Sequence, residues 1–305
     1  MRSPQSSLMR KAAALASLLL VSLPLPASAG LLWSLQGERN TVYLMGSMHM
    51  LPRRAYPLPD ALESAFRDST TVVFETDIDA IISPEVQKQM LALGSLPEGS
   101  VLQDLLPSPL WHNLVARSER AGLPPMLLNR FQPWFAANLL ALQTLQQHGY
   151  ERSLGLDERF WKGARRAGKQ IGWLESVDEQ LKVFADLSTE ESMTFLSLTL
   201  EDIDQIHAEP DLPFNLWRGG DDALFSEELE KLQEQTPVLY QRIHRDRNRR
   251  WVPQIRQYLQ SDRNVLIVVG AMHFVGEDGL IAMLRAQGVR VTERPLNSGW
   301  KAEKI

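Results

Sequence analysis

The chain has 305 residues, of which 44% are hydrophobic, 23% charged and 8% aromatic; these fractions exclude a disordered polymer and suit a folded core. Its 37 acidic and 32 basic residues leave a formal charge of -5, which excludes a broad nucleic-acid surface, because neutralising phosphates needs a basic field. There is no cysteine, so disulfides, thiolate zinc sites, iron–sulfur clusters and a cysteine nucleophile are excluded together, and any metal must be held by His, Asp, Glu, Met or backbone oxygen.

At the N-terminus Arg2, Arg10 and Lys11 precede an almost wholly apolar or small run from Ala12 to Leu25, closed by Ala27-Ser28-Ala29. That order of charge, apolar run and small-x-small site reads as a signal peptide over residues 1–29. Pro24 and Pro26 interrupt the run, which is too short for a membrane span. Cleavage would leave residues 30–305 as one exported, soluble domain with no stable membrane anchor, most simply in a bacterial periplasm.

Strands are predicted over Leu31–Leu35, Thr41–Met45, Thr71–Glu75, Ile171–Leu174, Asn264–Val269 and Val289–Thr292. Val72-Val73-Phe74 and Val265–Val269 are continuous apolar runs rich in β-branched residues, as expected where both faces of a strand are covered. Helical spacing is read over Asp60–Phe66, Pro109–Ala121, Phe135–Gln146 and Asp157–Ala167. It resumes over Thr189–His207, which opens Thr-Glu-Glu, then Leu224–Gln235 and Pro237–Gln260. This order predicts an α/β fold with a mostly parallel central sheet built from two related halves. The stretch of about 84–156 reads as a helical cap inserted between them, with loops at Gly94–Ser100 and Pro107–Pro109.

One short pattern occurs twice. Tyr43-Leu44-Met45 runs into Gly46-Ser47-Met48-His49, and Val268-Val269 runs into Gly270-Ala271-Met272-His273. A lone histidine after a strand is commonly a hydrogen-bonded loop residue; the duplication sets this pair apart. In open α/β sheets the C-terminal strand ends face the ligand crevice, so His49, His273 and the strand-terminal Glu75 are predicted to converge there. Two imidazoles and a carboxylate can hold a divalent ion with an open position. The glycines are expected to let the chain turn off each strand. Asp77 is an alternative to Glu75, and Glu175 is at most a supporting residue at a solvated strand end.

Arg242 to Arg250 form a basic helical run, mostly a solvated face, in which Arg247 and Asn248 are expected to reach the same rim. An arginine there can bind a substrate carboxylate or a developing oxyanion. His112, His148, His207 and His244 lack partners at metal-ligand spacing and are read as structural. Met45, Met48, Met50 and Met272 read as packing under the site, with Cu(I) binding as the softer alternative. No His-Glu-x-x-His, Gly-x-Ser-x-Gly or phosphate loop is present.

From about Leu31 to Leu296 the chain resembles the TraB/PrgY/GumN family, which is related to the Tiki metalloproteases and more distantly to erythromycin-esterase and ChaN-like proteins. The resemblance rests on Gly46–His49 with Leu51-Pro52, Val73–Asp77, Gly155-Leu156-Asp157, Leu174-Glu175-Ser176 with Gln180, Arg247-Asn248, and Gly270–Gly276 followed by Gly279-Leu280. It implies an α/β fold of two related halves whose two Gly-x-x-His motifs and glutamate form the active site. By position His49, His273 and Glu75 would hold a divalent metal, with manganese or cobalt the type associated with Tiki-like proteolysis and zinc also compatible with the residues. Glu75 would be a ligand or the base, and Arg247 and Asn248 a catalytic polar pair. The function expected is an exported metal-dependent hydrolase, peptidase-like, acting on a peptide or small molecule. The alternative is a non-enzymatic periplasmic protein that binds haem, copper or peptide.

Overall fold

In the computed structural model, residues 31–219 and 222–296 are described; the expected signal peptide lies outside them. Six strands form the main sheet: β1 (Leu32–Gln36), β2 (Thr41–Ser47), β4 (Thr71–Phe74), β6 (Gln170–Trp173), β7 (Val265–Gly270) and β8 (Val291–Glu293). Their order is β6-β4-β7-β2-β1-β8. The β6–β4, β4–β7 and β7–β2 pairings are parallel, whereas β1 is antiparallel to both its neighbours. The sheet is thus mostly parallel, and every predicted strand is found within a residue or two of its expected place.

Alternation along the central strands fixes what each face buries. Val265, Ile267 and Val269 of β7, with Val73 of β4, pack on one side against Trp251, Val252 and Ile255 and against Leu280 and Leu284. Leu266 and Val268, with Val72 and Phe74, pack on the other against Leu62, Phe160, Trp161 and Trp217. Burial on both faces explains why these strands read as unbroken apolar runs. A separate core lies among the helices Ser108–Arg120, Pro133–Gln147 and Thr189–Ala208, through Leu114, Leu140, Leu196 and Leu200. The helical layer expected over 84–156 therefore recruits a later helix as well. Among the described residues no helix is long and apolar enough to cross a membrane.

Two local features position the site. A two-stranded antiparallel ladder joins β3 (Leu51–Pro52) to β5 (Tyr150–Glu151), pairing Leu51 with Glu151 and Pro52 with Tyr150. It brings the segment after His49 beside the start of the helix Leu156–Arg166. The helix expected as one piece over 237–260 is instead Pro237–Tyr240, a π-helical turn at Gln241–Arg245, and Asp246–Tyr258. Such one-turn widenings change which residues face inward downstream, and they are frequent near functional sites.

Candidate active site

The parallel strands β2, β4, β6 and β7 carry their C-terminal ends to one rim, and His49, Glu75, Glu175 and His273 follow within one to three residues. The two motif strands are immediate neighbours, paired one residue out of step: Gly46 lies opposite Val269 and Ser47 opposite Gly270. The two histidines consequently meet different surroundings. His49 sits in a loop with its side chain 66% exposed, whereas His273 lies in a 3-10 turn, Ala271–Phe274, and is buried.

The glycines serve close approach rather than a left-handed turn. A Cβ on Gly46 would meet Leu31 and the backbone of Ala271, and one on Gly270 would lie 3.3 Å from Glu75 Oε1. The Gly270 N–H donates to that oxygen at 2.7 Å. Gly155 is the most constrained of the three, since a Cβ there would stand 2.1 Å from the carbonyl oxygen of His49. The bare backbone lets the His49 loop rest on the helix start, where the Leu156 N–H donates to Met48 O at 3.1 Å.

Asp157, the next residue, holds the first histidine. Its Oδ2 lies 2.9 Å from His49 Nδ1, and its Oδ1 accepts from Ser47 Oγ at 2.9 Å. The Asp157 charge, aided by the hydrogen bond and opposed by the desolvation of a ring set among the pocket walls although most of its surface meets water, pushes the His49 imidazole up to about 9. His273 is held differently: Nδ1 lies 2.7 Å from Asn248 Oδ1, while Asn248 Nδ2 donates to the His273 and Asp278 carbonyls. The ring is stacked 5.8 Å from His244 and tilted over Trp251 at 4.5 Å. Burial first, and then the Arg247 charge, hold it well below the usual histidine range, so it is neutral.

Arg247 occupies the middle of the floor. Its Nη2 donates to Glu75 Oε2 at 2.5 Å and to Glu175 Oε1 at 2.7 Å, and its Nη1 lies 3.2 Å from His273 Nε2. Nε also donates to both Glu175 oxygens at 3.1 Å. The two carboxylates diverge. Burial pushes Glu75 up, but Arg247, the two histidines and the Gly270 N–H outweigh it and leave Glu75 well below the usual carboxylate range. Burial of Glu175 prevails over the same arginine and raises it. Environments that drive paired acids apart give them different work: Glu75 stays ionised, and Glu175 takes a proton first as pH falls.

Beside this floor opens a pocket of about 370 Å³, lined by His49, Glu75, Asp157, Met50, Phe74 and Ile78 among others. The family profile of TraB/PrgY/gumN matches residues 31–293. The chain belongs to this family. Among TraB/PrgY/gumN relatives, YbaP of Escherichia coli (strain K12), itself uncharacterized, is 24% identical over 83% of the chain and 90% of its own length. A protein of Amphimedon queenslandica named as a metalloprotease TIKI homolog is 23% identical over 91% of the chain and 66% of its own length. Metalloprotease TIKI2 of Danio rerio is 25% identical over 87% of the chain and 61% of its own length. No solved structure matches the chain.

A metal is implied for the relatives named as metalloproteases, and the donors on this rim suit a divalent cation chemically. Both imidazoles have Nδ1 engaged by an oxygen, the usual way a ligating histidine is oriented; neutral His273 carries a lone pair on Nε2, whereas His49, raised to about 9, has to give up a proton before its Nε2 can ligate. Their placement is not that of a closed centre: among the described residues no three His, Asp or Glu side chains converge on one point. His273 Nε2 stands 3.9 Å from Glu75 Oε1, and the Arg247 guanidinium engages both. A cation at Glu75 and His273 therefore requires Arg247 to release them while keeping its hold on Glu175.

The remaining expected residues fall on the less reactive readings. Asp77 caps the one-turn helix Ile78–Ile81 by accepting from the Ala80 N–H. Met45 and Met50 are buried in the core, with Met48 and Met272 packed against it. His148 and His207 hydrogen-bond to each other at 2.9 Å. Sequence reading missed the partnership of Asp157 with His49 and the burial of Glu175; the Gly155-Leu156-Asp157 triplet was the available signal for the first.

Proposed function

We propose that the protein is an exported, metal-dependent hydrolase that cleaves peptide bonds, with His49, His273 and Glu75 holding the metal. One observation supports the reading: remote strand ends bring His49 and Glu75 to one pocket, with His273 beside Glu75 on the adjoining floor, both rings oriented at Nδ1 and Glu75 held below the usual carboxylate range. The naming of distant relatives as metalloproteases supports the reaction class. A divalent cation such as manganese, zinc or cobalt supplies, when bound, Lewis-acid polarisation of the scissile carbonyl.

The chain's own groups do the rest. Asp157 and Asn248 orient the rings of His49 and His273 through Nδ1, so each presents Nε2 to the site. Glu75 contributes negative charge and accepts hydrogen bonds; held ionised, it does not donate a proton. Glu175 anchors Arg247 through Nε and Nη2, so that the N–H groups released from Glu75 and His273 on metal binding would stay on the floor to stabilise an oxygen that gains charge during reaction. Export is supported by the order of charge, apolar run and small-x-small site in residues 1–29.

The test is cleavage of a peptide library by protein loaded with manganese, zinc or cobalt, alongside metal analysis and an absorbance spectrum. Wild type should cleave and lose activity to a chelator, and His49→Ala and His273→Ala should be inactive but folded. Undiminished cleavage in both variants, or a Soret band with no cleavage, would overturn the proposal, the second in favour of a haem binder.

A further inference from the structure

The pocket beside the floor has a mixed lining. His49, Glu75, Asp157, Arg152 and Glu158 contribute ionisable groups, and Ile78, Ile81 and Leu142 contribute apolar surface. Ile78 and Ile81 are left only half-buried, and Leu142 is 47% exposed on a helix whose other apolar residues pack inward. Apolar side chains kept open to water around a concave site mark a surface that a ligand covers.

Gln146 and Gln180 line the same pocket from two different helices. Neither side chain makes a hydrogen bond among the described residues, so each carboxamide has a free donor and a free acceptor. That pair of functions matches the N–H and C=O of a peptide backbone, which a hydrocarbon ligand lacks.

Building on the hydrolase reading, we infer that the substrate is an extended peptide carrying an apolar side chain next to the scissile bond. That side chain would be seated against Ile78, Ile81 and Leu142, with the backbone held by Gln146 and Gln180. The volume of about 370 Å³ is at the lower end for ligand sites and fits one large side chain with a short stretch of backbone. Burying a Leu- or Phe-sized group there should raise kcat/KM about 10- to 100-fold over glycine at the same position.

Internally quenched peptides varied at single positions, assayed with metal-loaded protein, test this. At one position Leu, Phe or Met should exceed Gly, Asp and Lys by that factor. Leu142→Glu should erase the preference and favour Lys, and because Leu142 is exposed the variant should remain folded. Gln180→Ala should weaken all peptides about equally. Anisotropy of labelled, proteolysis-resistant peptides provides a second readout independent of chemistry. Cleavage without side-chain preference would refute the inference and leave the hydrolase reading standing. Binding selective for apolar peptides, lost in Leu142→Glu but never followed by cleavage, would sink the hydrolase reading and keep the apolar side-chain seat as the subsite of a peptide-binding protein.

Discussion

Replacing Arg247 by methionine removes the cation shared by two buried carboxylates while keeping most of the side-chain volume. The Arg247, Glu75 and Glu175 side chains are 8%, 7% and 1% exposed, so water cannot take the arginine's place. Glu75 would keep the Gly270 N–H, but Glu175 would be left with Arg250 at 3.8 Å, itself 46% exposed. Removing one partner of a buried ion pair costs about 3–5 kcal/mol, because the other charge stays desolvated. The loss should shrink on acidification. In the wild type Glu75 is depressed, so its contribution is present above the unfolded carboxylate range and fades as pH falls through the native value. In the variant both acids should be raised by burial, so protonation at pH 5 relieves the penalty. Urea denaturation at pH 7.5 and pH 5 measures both effects, and Arg247→Met with Glu175→Gln should recover part of the stability. Divalent metal should protect Arg247→Met more than wild type, since no guanidinium contests Glu75. A loss below about 1 kcal/mol at pH 7.5, unchanged at pH 5, would refute the account of the cluster.

His49 should titrate near 9 by NMR, and Asp157→Asn should return it toward 6.5. A histidine raised on folding stabilises fully below about pH 6.5 and loses that contribution as pH rises through 9. With the ring 66% exposed, pocket water limits the effect to about 0.5–1 kcal/mol, seen as a wild-type advantage over Asp157→Asn at pH 6 that vanishes by pH 10. Gly155→Ala should cost about 1–3 kcal/mol in chemical denaturation, because its Cβ would overlap the His49 carbonyl at 2.1 Å; it should also disturb the His49 resonance. Ser47→Ala should lower stability by about 1 kcal/mol without moving His273, since only the Asp157 contact is lost.

The sheet was legible because its central strands are covered on both faces: Val265–Val269 leaves no polar position that another element could exploit. The rim was legible because two copies of Gly-x-x-His sit at strand ends. Glu175 was not, since a strand-terminal glutamate looks solvated until Arg247 from a helix far along the chain is laid over it. The pairing of Asp157 with His49 depends on the small ladder between β3 and β5, where two-residue strands have no periodicity to read. His244 was set aside for want of a ligand partner, yet it backs the His273 ring and contacts the Met272 carbonyl at 2.9 Å.

The widened turn at Gln241–Arg245 makes the polypeptide length here a functional quantity. An α-helix advances about 100° per residue, so deleting one residue from this turn to restore regular winding would swing Arg247 and Asn248 relative to Tyr240 by that angle. Each would then exchange its place for a neighbour's, Asp246 or Arg249 among them, and the acids would face an altered set of charges. Insertions and deletions should therefore be tolerated far less well in this short segment than in the exposed loops of the helical layer.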